Sequence, residues 1–150
     1  MAHMIIKPLV FLSIVLSINI VQIIVGADPF TKRFEVNVYD FLPKENSKLI
    51  THCQSKNDDF GNHTLYLNQY QQWAFHQDVF KKTLYFCHLW WNGKQQTFDV
   101  FSKHLSGDCQ TGIGGNICSW IAKADGIYFS PDRVTSAGPI GVPQKRYDWQ

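Results

Sequence analysis

The chain carries little charge of either sign. Of its 150 residues, 17% are Asp, Glu, Lys or Arg, and the formal net charge is +2. A balance so close to zero excludes a protein that grips nucleic acid through a basic face. Metal-site spacing is absent too, with no His-Glu-x-x-His and no paired Cys-x-x-Cys. Beyond the N-terminal leader no apolar run is long enough to cross a bilayer, and no segment shows a helical period. What the chain does have is apolar and aromatic material. Hydrophobic residues make up 45% and aromatics 15%, which excludes a disordered polymer.

The leader is read from its order of parts. Lys7 supplies a positive start, Leu9 to Val25 an apolar stretch, and Val25-Gly26-Ala27 a small-residue cleavage pattern. Residues 1–27 are therefore expected to be a signal peptide. Residues 28–131 would form one domain, and 132–150 an irregular tail docked by Tyr147 and Trp149. The product is expected to be secreted.

Four cysteines remain: Cys53, Cys87, Cys109 and Cys118. An even number in a small secreted chain reads as two disulfides. Three pairings are open. Nesting a short loop inside a long one favours Cys53 with Cys118 and Cys87 with Cys109.

Short β-runs fill the rest. Phe34 to Tyr39 alternates apolar and polar residues, the mark of a half-buried strand. Further runs are 49–53, 64–67, 72–75, 83–90, 96–101, 117–122 and 126–129. Asn92-Gly93 marks a tight hairpin between two of them. The stretches 43–47, 56–62 and 102–116 read as loops. This spacing predicts an all-β fold, an antiparallel β-sandwich of about seven to eight strands with two disulfides. Trp120 and Phe86 are expected in the core, with the strand from Thr83 to Trp90 buried on both faces.

Reactive residues are present without a supporting pattern. His52 and His88 adjoin cysteines expected to be oxidised, and such sulfurs are not thiolate ligands. His76, His88 and His104 could be assembled into an acid–base set, yet nothing in their spacing selects them. Asp58-Asp59 with Asn57 could ligate calcium, but such residues more often satisfy loop amides. Gly112 to Gly115 lacks the strand-to-helix setting of a phosphate loop. Neither a catalytic role nor a cofactor is expected. Asn62-His63-Thr64 is a glycosylation sequon.

In order, the motifs resemble those of the plant self-incompatibility S-protein homologue family. They are His52-Cys53-Gln54-Ser55 with the loop to Gly61, Trp73-Ala74-Phe75, Thr83-Leu84-Tyr85-Phe86-Cys87, Phe98-Asp99-Val100-Phe101, Cys118-Ser119-Trp120, and Asp125-Gly126-Ile127. The resemblance spans about residues 34–130. It implies a two-disulfide β-sandwich and an extracellular ligand, whose partner among the stigma determinants is a pollen plasma-membrane protein. The expected function is thus a secreted, monomeric signalling ligand for a cell-surface membrane protein. Its candidate recognition loop is Lys56, Asn57, Asp58 and Asp59, with 43–47, 107–116 and the tail as further surfaces. The alternative is a secreted defence protein that binds microbial surfaces or glycans.

N-terminal sequencing of the secreted product should begin at Asp28; an intact membrane-integrated chain would contradict the cleavage site.

Overall fold

Alternation along the strands builds two facing sheets. The computed structural model describes residues 31–150, so the expected signal peptide and its cleavage site lie outside the described residues. Eleven strands follow in order: β1 (Arg33–Asp40), β2 (Leu49–Gln54), β3 (Asp59–Leu65), β4 (Tyr70–His76), β5 (Tyr85–Trp91), β6 (Lys94–Phe101), β7 (Ile117–Lys123), β8 (Gly126–Ser130), β9 (Val134–Thr135), β10 (Gly138–Pro139) and β11 (Gln144–Tyr147). One sheet has the order β11-β8-β7-β1-β4, the other β3-β2-β5-β6, and β9 and β10 form a small hairpin.

The all-β class is as expected, with three differences of detail. The strands outnumber the expected seven or eight. One ladder, β1 with β7, is parallel, while the others are antiparallel. β3 begins at Asp59, inside the stretch read as a loop, because a register shift between His52 and Gln54 lets this polar, Gly-containing segment pair with β2. At the β5–β6 hairpin, Asn92 and Gly93 both have positive φ (47° and 75°), the geometry a two-residue turn needs.

Large rings fill the space between the sheets. Trp120 is fully buried and donates its indole N–H to the Val100 carbonyl at 2.9 Å. Phe98 and Phe129 lie 4.8 and 5.1 Å from it. At the other end Phe34, Phe75 and Phe101 form a second cluster, with Phe101 4.7 Å from each of the other two. Phe86 does not join them. On β5 the buried residues are Tyr85, Cys87, Leu89 and Trp91, while Phe86, His88 and Trp90 are only partly covered on the outward face. That strand is central but buried on one side, because nothing in the described chain roofs its outer face.

The outer face of the five-stranded sheet is roofed. Glu35, Asn37 and Tyr39 point outward from β1 and are still buried. The segment carrying β9 crosses here, and the Arg133 guanidinium grips both Glu35 carboxylate oxygens at 2.7 and 3.1 Å. That contact holds the Glu35 carboxyl below its usual range.

The C-terminal segment is not irregular. β11 pairs with β8, and Tyr147 packs 4.8 Å from Phe98. Trp149 donates to the Lys123 carbonyl at 2.8 Å and lies 5.7 Å from Trp91. Gln150 then exchanges two backbone hydrogen bonds with Gln95 on β6, each 2.9 Å. The segment therefore spans from the edge of one sheet to the edge of the other. Its polar sequence hides the strand because only Tyr147 of β11 turns toward the core.

Trp120→Ala should cost about 3–5 kcal/mol of unfolding free energy, read from urea titration. Deleting residues 144–150 should also lower the urea midpoint clearly; an unchanged midpoint would show that the seam contributes nothing.

Candidate functional site

Both cysteine pairs differ from the nested arrangement expected. The bonds are Cys53–Cys87 and Cys109–Cys118. Cys53 on β2 and Cys87 on β5 are direct ladder partners with Cα atoms 4.1 Å apart. Cys118 lies on β7 in the other sheet and Cys109 in the short 3-10 turn Asp108–Gln110, where their Cα atoms are 4.9 Å apart, so each cysteine has its bonding partner beside it and the nested pairing does not form. Cys109–Cys118 instead closes the Gly-rich loop. Gly112 there meets Pro131 and Asp132 so closely that a β-carbon would collide with both, and the Ile113 amide donates to Asp132 at 2.6 Å.

The Cys53–Cys87 bond lies beneath one end of the sandwich, where the candidate recognition loop sits. Ser55 organises that loop. Its hydroxyl accepts from the Asn57 and Asp58 amides at 3.2 and 3.0 Å, and its own amide donates to the Asp58 carbonyl at 2.7 Å. The Tyr85 hydroxyl donates to the Asp58 carboxylate at 2.7 Å. Burial, then this bond to Asp58, pushes the Tyr85 phenol up to about 12. Asp59 faces elsewhere: its carboxylate accepts from the Gly61 amide at 2.9 Å and pairs with His52 at 2.7 Å. The Gly61 amide, then His52, holds it below its usual range. Phe60 anchors the base of the loop against Trp73 and Tyr85. Of the four candidate side chains, the two aspartates are thus engaged in bracing, and Lys56 and Asn57 project outward.

Across a groove of about 700 Å³ stands a feature sequence reading did not single out. The β4–β5 connection is a tight turn fastened at both ends. Asp78 accepts from the Lys82 amide at 3.1 Å, the Asp78 amide donates to the Thr83 hydroxyl at 2.8 Å, and Lys81 takes a φ of 56°. The turn leaves Val79 62% and Phe80 78% exposed, with Leu84 beside them. Lys82 rests over the Phe80 ring. The available signal was Val79-Phe80 between polar residues, an apolar pair with no alternation around it.

This geometry suits surface recognition. Its polar groups are mostly satisfied, its apolar ones exposed, and cations flank them. The histidines considered for catalysis sit on separate elements: His76 at the end of β4, His88 on β5, and His104 in the β6–β7 connection. Among the described residues no three of His, Cys, Asp and Glu approach closely enough to hold a metal ion. Asn62, the sequon residue, is exposed on the edge strand β3.

Comparison with known proteins agrees with this architecture. Residues 35–149 match the family described as plant self-incompatibility protein S1. The chain belongs to that family. S-protein homolog 29 of Arabidopsis thaliana is 31% identical over 125 residues, covering 83% of this chain and 86% of its own. S-protein homolog 2 from the same plant is 32% identical over 78 residues, and the matched region spans about half of each chain, 52% and 48%. A solved structure of self-incompatibility protein homologues, described as small, highly stable, secreted proteins from plants, covers 80% of this chain and 96% of its own. Its TM-score is 0.57 at 20% identity, which establishes a shared fold. As a member of the S1 family the chain is a secreted protein.

The raised Tyr85 phenol has a consequence in alkali. A folded-state value above the unfolded one, near 10, contributes stability that is complete below pH 10 and lost as pH rises toward about 12. Melting temperatures followed from pH 9 upward should fall more steeply for the wild type than for Tyr85→Phe; parallel curves would refute the assignment.

Proposed function

We propose that the protein is a secreted ligand that binds a cell-surface membrane protein, in self-incompatibility-like pollen rejection or another plant cell–cell signal. The working surface is the groove lined by Lys56, Asn57, Asp78 and Lys82 together with the exposed Val79-Phe80 pair on the turn that joins Asp78 to Lys82. One observation carries this reading. An aromatic and an aliphatic side chain stand exposed on a turn whose ends are hydrogen-bonded, so their exposure is built in rather than a product of slack chain. Membership of the S1 family supports a signalling role. Lys56 and Lys82, which line the groove, and the exposed Lys81 on the adjoining turn favour a partner with acidic residues at the rim of its own apolar patch.

The test is binding of labelled protein to plant cells. Val79→Ser with Phe80→Ser should leave the circular dichroism spectrum and secretion unchanged. It should weaken binding by about 2 kcal/mol, roughly thirtyfold. Val142→Ser, which alters an exposed aliphatic outside the groove, should bind normally. Equal binding by all three proteins would remove the groove from the interface. Binding to microbial walls but not to plant membranes would favour the defence role instead.

A further inference from the structure

The two sheets differ in how their outward faces are treated. The five-stranded sheet is roofed by the segment that carries Arg133. The four-stranded sheet has no such roof among the described residues, although its outward face is not simply polar. Ile50 on β2 lies opposite Trp90 on β5, and His52 lies opposite His88. All four are partly covered. His88 stacks on Trp90 with ring centroids 3.7 Å apart and a 22° interplanar angle, and its Nε2 meets the Gln95 side chain at 2.8 Å. Beside them a groove of about 800 Å³ is lined by Ile50, Tyr66, Trp90 and Gln95, with Lys48 and Lys94 near its rim. Tyr66 is 52% exposed.

The sequon lies in register with this face. Asn62 is the ladder partner of His52, and Thr64 that of Ile50. Ladder partners point to the same side of a sheet, so Asn62 shares the outward row of His52, His88 and Thr97. Trp90 lies two strands across and one pleat along, about 12 Å from Asn62 by strand spacing. Asn62 is exposed, and the chain is secreted, so it meets the glycosylation machinery.

We propose that an N-linked glycan on Asn62 folds back across the outer face of the four-stranded sheet and packs the sugars that follow its first N-acetylglucosamine on the Trp90–His88–Ile50 platform. The linkage is an N-glycosidic bond from the Asn62 side-chain amide nitrogen to the anomeric carbon of the first N-acetylglucosamine; as it forms, the carbon–oxygen bond to the lipid-linked diphosphate donor breaks, the lipid diphosphate leaves, and the nitrogen gives up one proton to the base of the host transferase. The apolar face of a pyranose suits an indole ring. Gln95, Lys48 and Lys94 offer donors, and Gln95 an acceptor, for its hydroxyls. The tether removes most of the translational cost of binding, so a shallow platform suffices. The glycan does for this sheet what the Arg133 segment does for the other. It also withdraws this face from partner binding, independently of whether the Phe80 groove is the interface.

The test uses full-length chain secreted from a eukaryotic host with high-mannose glycans. Peptide mass spectrometry should find Asn62 modified. Acrylamide quenching is then compared for three forms: the intact glycoprotein, the same protein cut to one N-acetylglucosamine by an endoglycosidase, and Asn62→Gln. Trp90-dependent emission, taken as the difference from Trp90→Phe, should quench about twofold more readily once the glycan is removed. Trimming needs no substitution, so a folding failure of Asn62→Gln does not block the result. An unmodified Asn62 in the secreted protein would overturn the proposal. So would Trp90 quenching that is the same with and without the glycan.

Discussion

The distance between the two sheets is set by aromatic rings, and most of the remaining structure follows from it. Trp120, Phe98 and Phe129 fill one end, Phe34, Phe75 and Phe101 the other. Rings of this size bury much area per residue, which lets a domain of modest length build a core with few charged groups. The packing continues outward. Tyr85 touches Phe75 at 4.6 Å and, through its hydroxyl, holds Asp58. Tyr147 and Trp149 extend the core to the C-terminal seam. The candidate recognition end and the seam are thus both extensions of one aromatic layer.

The disulfides do something different. Cys53–Cys87 joins ladder partners within one sheet, and Cys109–Cys118 closes a loop onto the central strand of the other. Neither joins sheet to sheet. In a chain-entropy account they restrict the unfolded chain by about 3–4 and about 2.5 kcal/mol, scaling with separations of 34 and 9 residues. They secure register and loop shape, while the rings secure spacing.

Local signals in the sequence carried the strand positions well. Alternation in Phe34 to Tyr39, the Asn92-Gly93 turn and the burial of Trp120 all follow from side chains within a few residues of each other. What was not legible depends on which strands meet. The cysteine pairing follows from β2 lying beside β5, and the parallel β1–β7 ladder joins segments about eighty residues apart. β11 escaped notice because an edge strand with one core-facing residue has no alternation to show. Phe86 was misplaced because parity tells which residues share a face, not whether that face is covered. At the candidate site, the residue types of the acidic loop pointed to amide capping, which Ser55 and Asp59 display. Phe80 carried no pattern, because an exposed aromatic at a turn has none.

One consequence of the cross-strand Cys53–Cys87 bond reaches the far side of any complex this protein forms. The loop at Ser55 begins two residues after one sulfur-bearing residue, and the turn at Val79 rejoins β5 shortly before the other. Both walls of the groove are therefore rooted in the same covalent link. A receptor docking at the proposed surface would meet a surface already in its final shape, with little loop entropy lost on contact. Discrimination between such partners would then fall to rigid steric and charge fit, and a single altered side chain on either wall would switch recognition without disturbing the frame that holds it.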